Sequence, residues 1–293
     1  MDVPAADAVP LHVEVDGAGP VTVVLAHGWT LDATTWAPVA RSLDARVVRY
    51  DHRGHGRSAA VDPATMTIDQ LADDLAAVIA AVAPEGPLVL GWHSMGGMAI
   101  MALAQRHPDV AARAQGIALV ATAAGGLAGH TLGLPPRLAA AVALGEKRVF
   151  ASSRWGSRPA LGHPRMLTPG LRWLLLGPRA DAEARRITVV AVAGCRPGTV
   201  SGFRPTLDAH ERAVALAAFA DTPTVVLAGT HDRLTPVPMA RRIAEALPSA
   251  QLTVFPGAGH MLPVERAAGV AARLGALVDQ REARQAAPRQ AGQ

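Results

Sequence analysis

Leu88-Val89-Leu90-Gly91-Trp92-His93-Ser94-Met95-Gly96-Gly97-Met98-Ala99-Ile100 reads as a buried strand, a sharp turn and a helix. Leu88 to Leu90 form an apolar β-run after the breaker Pro87, and Met98, Ile100, Met101 and Leu103 recur at a spacing that suits a helix against a core. A serine at such a turn is lifted clear of both elements, its Oγ above the sheet and a helix N-terminus beneath it. Ser94 is therefore the candidate nucleophile. Two residues earlier, where the pattern Gly-x-Ser-x-Gly has glycine, stands Trp92, while Gly96 keeps the second glycine. The alanines and glycines nearby leave room for an indole, so the expectation is a formed turn with Trp92 buried beside the sheet.

Outward from this stretch, strand and helix alternate. Leu11 to Val15 alternates in polarity and reads as a first strand. Val21 to Ala26, Arg46 to Tyr50 and Ile117 to Ala121 follow, and the long β-branched run among them suits a strand buried on both faces of a parallel sheet. Helices are expected from about Thr35 to Leu43 and after Thr67, whose spacing to Gln70 is that of a capping box. From Gly125 to about Ala220 the rhythm stops. That stretch holds helix-like segments, among them Asp181 to Val192, with many Pro and Gly and no strand repeat. The alternation resumes with strands Thr224 to Ala228 and Gln251 to Phe255, and helices Pro238 to Leu247 and Val264 to about Arg284. The expected architecture is α/β: a mostly parallel, doubly wound sheet in two parts, 1–124 and 221–284, with an inserted, mainly helical lid at 125–220 and a frayed tail at 285–293.

Composition narrows the function classes. The chain has 293 residues, half of them hydrophobic, but no apolar run long enough to cross a bilayer and no basic-then-apolar leader at its start. The single cysteine, Cys195, can form no intrachain disulfide, which fits a reducing, cytoplasmic setting. The pI of about 10.4 accompanies a net charge of only +4, because 27 of the 28 basic residues are arginine. The arginines are scattered between alanines and read as ordinary solvated surface, so no nucleic-acid partner is expected. One lysine, Lys147, leaves no phosphate-loop lysine and little scope for Schiff-base chemistry.

Two further residues stand at strand ends. Asp232 lies in Gly229-Thr230-His231-Asp232-Arg233-Leu234-Thr235-Pro236, and His260 in Pro256-Gly257-Ala258-Gly259-His260-Met261. Loops at the carboxyl ends of parallel strands share one edge of a sheet, so Ser94, Asp232 and His260 can converge. Histidine would take the serine proton and return it to the leaving group, and the aspartate would fix the histidine tautomer. Other candidates are weaker. His52 and His55 beside Asp51 lack a third metal ligand, and His93 reads as a packing or supporting residue.

With the order Ser, Asp, His, the turn His27-Gly28-Trp29, the loop Asp51-His52-Arg53-Gly54-His55-Gly56-Arg57-Ser58 and the run His93 to Gly97, the chain resembles the α/β-hydrolase fold family, and within it the small lid-bearing serine hydrolases of esterase and lipase type. The resemblance spans nearly the whole chain. It implies an oxyanion hole made by the backbone N–H groups of Trp29 and Met95, and no cofactor or metal. Trp29, Trp155 and Trp173 are candidate walls of a substrate pocket. The expected activity is hydrolysis of an ester-type acyl bond in a small, apolar substrate through a Ser94 acyl-enzyme. The rivals are a non-hydrolytic enzyme on the same fold (perhydrolase, lyase or cofactor-free oxygenase) and a ligand-binding protein with a vestigial triad.

Overall fold

The computed structural model describes residues 1–128 and 152–286, with scattered positions between 134 and 149. Its strands are β1 (Asp2–Pro4), β2 (Pro10–Asp16), β3 (Thr22–Ala26), β4 (Arg46–Tyr50), β5 (Leu88–His93), β6 (Ala114–Val120), β7 (Thr224–Gly229) and β8 (Ala250–Phe255). They form one sheet in the order β1-β2-β4-β3-β5-β6-β7-β8. β1 and β2 run antiparallel to their neighbours, and β4 through β8 are joined by parallel pairings. The strand order reverses around β3, so the first parallel crossovers wind to opposite sides and both faces of the sheet are covered.

Register explains which side chains meet which helices. In β5, Leu88, Leu90 and Trp92 point to one face, where Ile68–Val82 and Met95–Arg106 supply Leu71, Leu75, Ile79, Met98 and Met101. Val89 points to the other, against Val270, Leu274 and Leu277 of the Ala267–Ala286 helix. Thr67 caps its helix as the spacing predicts, with its hydroxyl accepting from the Gln70 amide at 3.0 Å. Between β6 and β7 the described regular elements are helical, with Pro164–Leu175, Ala182–Gly194 and Pro197–Asp208 as the longer pieces.

Three sequence expectations need correction. The helix expected over 35–43 is a 3-10 turn, Ala33–Trp36, and a single α-turn, Ala37–Ala40. Asp32 caps the first by accepting from Thr34, and Pro38, in the first turn of the second, has no N–H to bond back to Thr34 and join the two. The final helix is interrupted at Arg266 (φ −137°, ψ 38°), leaving a short Leu262–Glu265 turn before Ala267–Ala286. Strand β1 has no sequence signal; three residues pair with β2 because the chain start lies against it. The expected frayed tail lies, from residue 287 on, outside the described residues, as does much of 129–151 within the expected lid.

The loop after β4 is pinned by a buried ion pair. Arg53 and Asp74 are both fully buried; Arg53 Nε donates to Asp74 Oδ2 at 2.6 Å and Nη1 to Asp7 Oδ2 at 2.9 Å. Burial raises the Asp74 carboxyl above its usual range, so its charge depends on the guanidinium beside it. Removing Asp74 leaves the buried guanidinium with only the more exposed Asp7 as its partner. Asp74→Ala is expected to lower the unfolding free energy by about 3–5 kcal/mol in urea. Asp208→Ala, which breaks the exposed Arg204–Asp208 pair, should cost no more than about 0.5 kcal/mol.

Candidate active site

The turn after β5 is sharp. Ser94 has φ 54° and ψ −118°, a conformation that L-residues rarely adopt. It persists because its surroundings over-determine it. The Ser94 amide donates to Val120 O at 3.0 Å, and Thr122 Oγ1 donates to Ser94 O at 2.7 Å. A Cβ on Gly96 would stand 2.9 Å from Ala26 O, which leaves no room for a side chain, and one on Gly28 would stand 3.0 Å from Ser94 Cβ, a tight fit that favours glycine.

Trp92 is fully buried. Across the sheet it pairs with Ala26 of β3, which in turn pairs with Tyr50 of β4. The small alanine leaves a gap between two large rings, and the indole lies there, 6.4 Å from Tyr50 and 6.4 Å from His52 between centroids. The crowded position is Gly91 on the opposite face, where a Cβ would meet Leu25 Cδ2 at 2.6 Å and Leu274 Cδ2 at 2.9 Å.

Asp232 and His260 meet beyond the ends of β7 and β8. His260 Nδ1 donates to Asp232 Oδ2 at 2.9 Å, with both residues buried. The other aspartate sites are also filled. Oδ1 accepts from the Leu234 and Thr235 amides, each at 2.9 Å, and Oδ2 from Thr235 Oγ1 at 2.8 Å. The carboxylate therefore cannot swing away from the imidazole. His93 joins this pair to the Ser94 turn. Its Nε2 donates to the backbone carbonyl of His260 at 2.9 Å, and the two rings lie 4.7 Å apart. Ser94 Oγ is half-exposed and makes no hydrogen bond among the described residues; catalytic bonds in unliganded sites often tighten only with substrate.

A second loop cluster shapes the turn Gly28–Leu31. His27 Nδ1 donates to Gly28 O at 2.8 Å, and its Nε2 accepts from the His52 amide at 3.0 Å. His55 Nδ1 donates to Arg53 O, and its Nε2 accepts from the Thr30 amide at 3.3 Å. Asp51 Oδ1 accepts from Ala33 N at 2.7 Å. These bonds leave the amides of Trp29 and Met95 without a partner among the described residues. His52 and His55 are thus spent mainly on backbone groups, and among the described residues no three His, Cys, Asp or Glu side chains gather to hold a metal.

The candidate pocket tryptophans separate. Trp29 is half-buried, with the Arg204 guanidinium 6.0 Å from its ring. Trp173 is 45% exposed and stacks 4.5 Å from the guanidinium of Arg233, which follows Asp232 in the chain. Trp155 lies half-buried in the short Ser153–Gly156 turn, which packs on the Pro197–Asp208 helix. Burial pushes the Cys195 thiol up to about 12, so it is no nucleophile at neutral pH. Sequence reasoning did not single out Thr235, Thr122 or Glu265; only the run Asp232-Arg233-Leu234-Thr235 carried a signal, an Asx-type turn.

Residues 20–267 match the family model described as serine aminopeptidase, S33. Among curated relatives, the pimeloyl-[acyl-carrier protein] methyl ester esterase of Chromobacterium violaceum is 33% identical over 252 residues, covering 85% of this chain and 91% of that protein. Among solved structures, a thermophilic esterase from Thermogutta terrifontis aligns with a TM-score of 0.75 at 24% identity, over 97% of this chain and 98% of that one. The enol-lactonase from Burkholderia xenovorans aligns with a TM-score of 0.75 at 23% identity, over 95% of this chain and 99% of that one. The two structural likenesses are likenesses of fold.

Four buried histidines around the site give the fold a pH dependence. Burial holds His27 below the ordinary histidine value and His52, His55 and His93 well below it. An unfolded chain binds their protons as pH falls through about 6.5, while the folded chain refuses them. Stability is therefore complete above about pH 6.5 and lost on acidification, by up to about 1.4 kcal/mol per pH unit for each histidine. Urea midpoints should fall clearly between pH 7.5 and pH 5.5; equal midpoints would contradict the burial of these histidines as neutral groups.

Proposed function

We propose that this chain, which belongs to the serine aminopeptidase S33 family of α/β hydrolases, is a carboxylic-ester hydrolase that works through a Ser94 acyl-enzyme. The observation that carries the reading is the buried His260–Asp232 bond at the sheet edge where the strained Ser94 turn also ends. Serine is a weak nucleophile at neutral pH and needs a base. His260 Nε2 takes the Ser94 proton as Oγ attacks the acyl carbon. Asp232 keeps the proton on Nδ1 and stabilises the imidazolium, helped by Thr235, whose hydroxyl bonds the same carboxylate oxygen. The tetrahedral oxyanion is received by the amides of Trp29 and Met95, and each such donor is worth about 3 kcal/mol of barrier. His260 then protonates the leaving alcohol. Water, deprotonated by the same nitrogen, releases the acid and frees Ser94.

A second observation bears on substrate charge. Residues 125–220, the segment we read as a lid, hold thirteen of the 28 basic residues and five of the 24 acidic ones, a net +8, while the rest of the chain carries −4. Arginines scattered in sequence thus gather in the insertion. Arg154, Arg158, Arg165, Arg172, Arg179 and Arg186 are exposed and have no carboxylate partner among the described residues. A field of this sign favours an anionic ester, or one borne on an acidic carrier; the Chromobacterium relative is named for a methyl ester on an acyl-carrier protein.

Two assays test these readings. Ser94→Ala should abolish fluorophosphonate labelling and lower hydrolysis of p-nitrophenyl butyrate by roughly four orders of magnitude or more; labelling that survives would refute the nucleophile. A methyl ester with a terminal carboxylate should show a lower KM than its neutral isostere at low salt, and the gap should close near 1 M salt, where the Debye length is about 3 Å. A gap indifferent to salt would remove the electrostatic argument.

A further inference from the structure

The backbone around His260 is held from two sides: His93 of β5 donates to its carbonyl, and the inserted segment accepts from its amide. Leu175 O, at the end of the Pro164–Leu175 helix, accepts from His260 N at 2.8 Å and from Met261 N at 3.3 Å. The preceding amide, Gly259 N, donates to Glu265 Oε1 at 3.0 Å, and the other oxygen of the same carboxylate accepts from Gly177 N at 2.8 Å. Two glycines make the approach possible. A Cβ on Gly177 would stand 2.1 Å from Gly257 O, and one on Gly259 would stand 2.5 Å from Gly177 N and 2.6 Å from Leu175 O. No side chain fits between the two backbones, so only a group reaching in from the side can satisfy both amides. Glu265 does so from the short turn that follows His260.

We propose that Glu265 is a positioning residue that locks the Leu175–Gly177 end of the insertion to the loop carrying His260, so that the insertion sets the placement of the base. The inference rests on reading His260 as that base. Glu265 touches no reacting atom. It bridges Gly259 and Gly177, and the lid end it holds supplies the acceptor for the His260 amide. The carboxylate is largely desolvated, which raises its pKa, and two backbone donors with the nearby Arg266 work against that rise. The Arg266 guanidinium itself bonds Glu265 O and Pro256 O, and so braces the same loop. This end of the insertion is therefore built as part of the catalytic loop, and any opening of the insertion must pivot elsewhere.

The test uses the full chain, with Glu265→Gln, Gly177→Ala and the double variant assayed on p-nitrophenyl butyrate. Glutamine keeps the size but presents an NH2 to one of two amide donors; alanine pushes the insertion off Gly257. Each single variant should lose roughly ten- to a hundredfold in kcat with KM little changed, since a misplaced base costs in the chemical step. The acid limb of the kcat/KM profile should also shift, because the imidazole moves relative to Asp232. The double variant should lose no more than the worse single, because both break one junction. Folding is checked by near-UV circular dichroism; if Gly177→Ala does not fold, Glu265→Gln and its pH profile decide. A Glu265→Gln enzyme with a lowered Tm but unchanged kcat and pH profile would overturn the proposal, as would losses that multiply in the double variant. Activity that persists in Ser94→Ala would instead overturn the underlying hydrolase reading, so the two failures are distinct.

Discussion

A non-glycine residue at φ 54° and ψ −118° costs on the order of 1–3 kcal/mol, and the site depends on that strain being held at Ser94. The force that holds it is local crowding. Gly96 lets the helix start against the carbonyls of Ala26 and His27, Gly28 lets the neighbouring turn close on Ser94 Cβ, and Val120 and Thr122 fix the serine's own amide and carbonyl. These partners come from β3, β5 and β6 and the loops beyond them, so the turn is shaped by adjacent parallel strands and not by its own sequence alone. The same arrangement sets Ser94 as the residue that opens the N-terminus of Met95–Arg106.

Trp92 shows how a pattern can change without the geometry changing. The two faces of β5 are not equally filled. Gly91 faces Leu25 and Leu274, where there is no room for a Cβ, while Trp92 faces the gap over Ala26. Glycine is needed where the opposite helix presses close, and in this chain that position is one residue earlier. The indole then contributes a large buried surface beneath the turn, between Tyr50 and the helices of that face.

Two polar networks stand behind the site. The histidines at 27, 52 and 55, with Asp51, hold the Gly28–Leu31 turn, and Arg53 with Asp74 and Asp7 anchors the loop from which two of them come. On the other side, Asp232, Thr235, His93 and Glu265 fix His260 by its ring and by its backbone. Buried polar groups of this kind are costly unless satisfied, and most of these are, although His52 Nδ1 and His93 Nδ1 have no partner among the described residues. Through these bonds the loop Asp51–Ser58 braces the Gly28–Leu31 turn.

Much of this was legible in the chain alone. The β-branched run at 21–26 suited a buried strand, the runs at 46–50 and 224–228 read as further strands, the alternation with helices indicated a mostly parallel sheet, and parallel strands put the residues after β5, β7 and β8 on one edge; hence Ser94, Asp232 and His260 could be named together. These inferences rest on periodicity and on chain direction, which are properties of neighbours in sequence. The rest depended on contacts between residues far apart in the chain. Nothing near Trp92 announces that Ala26 and Tyr50 will leave it room. Nothing in Gly177, Leu175 or Glu265 announces that they will meet at His260. The helix at 35–43 shrank to two short turns for a similar reason, since Asp32 and Pro38 shape the start while the packing of Trp36 and Val39 sets the rest. Local pattern settles which element a residue joins and which face it takes. Which groups then share hydrogen bonds across those faces is settled by close packing, and that exists only once the sheet and its insertion are assembled.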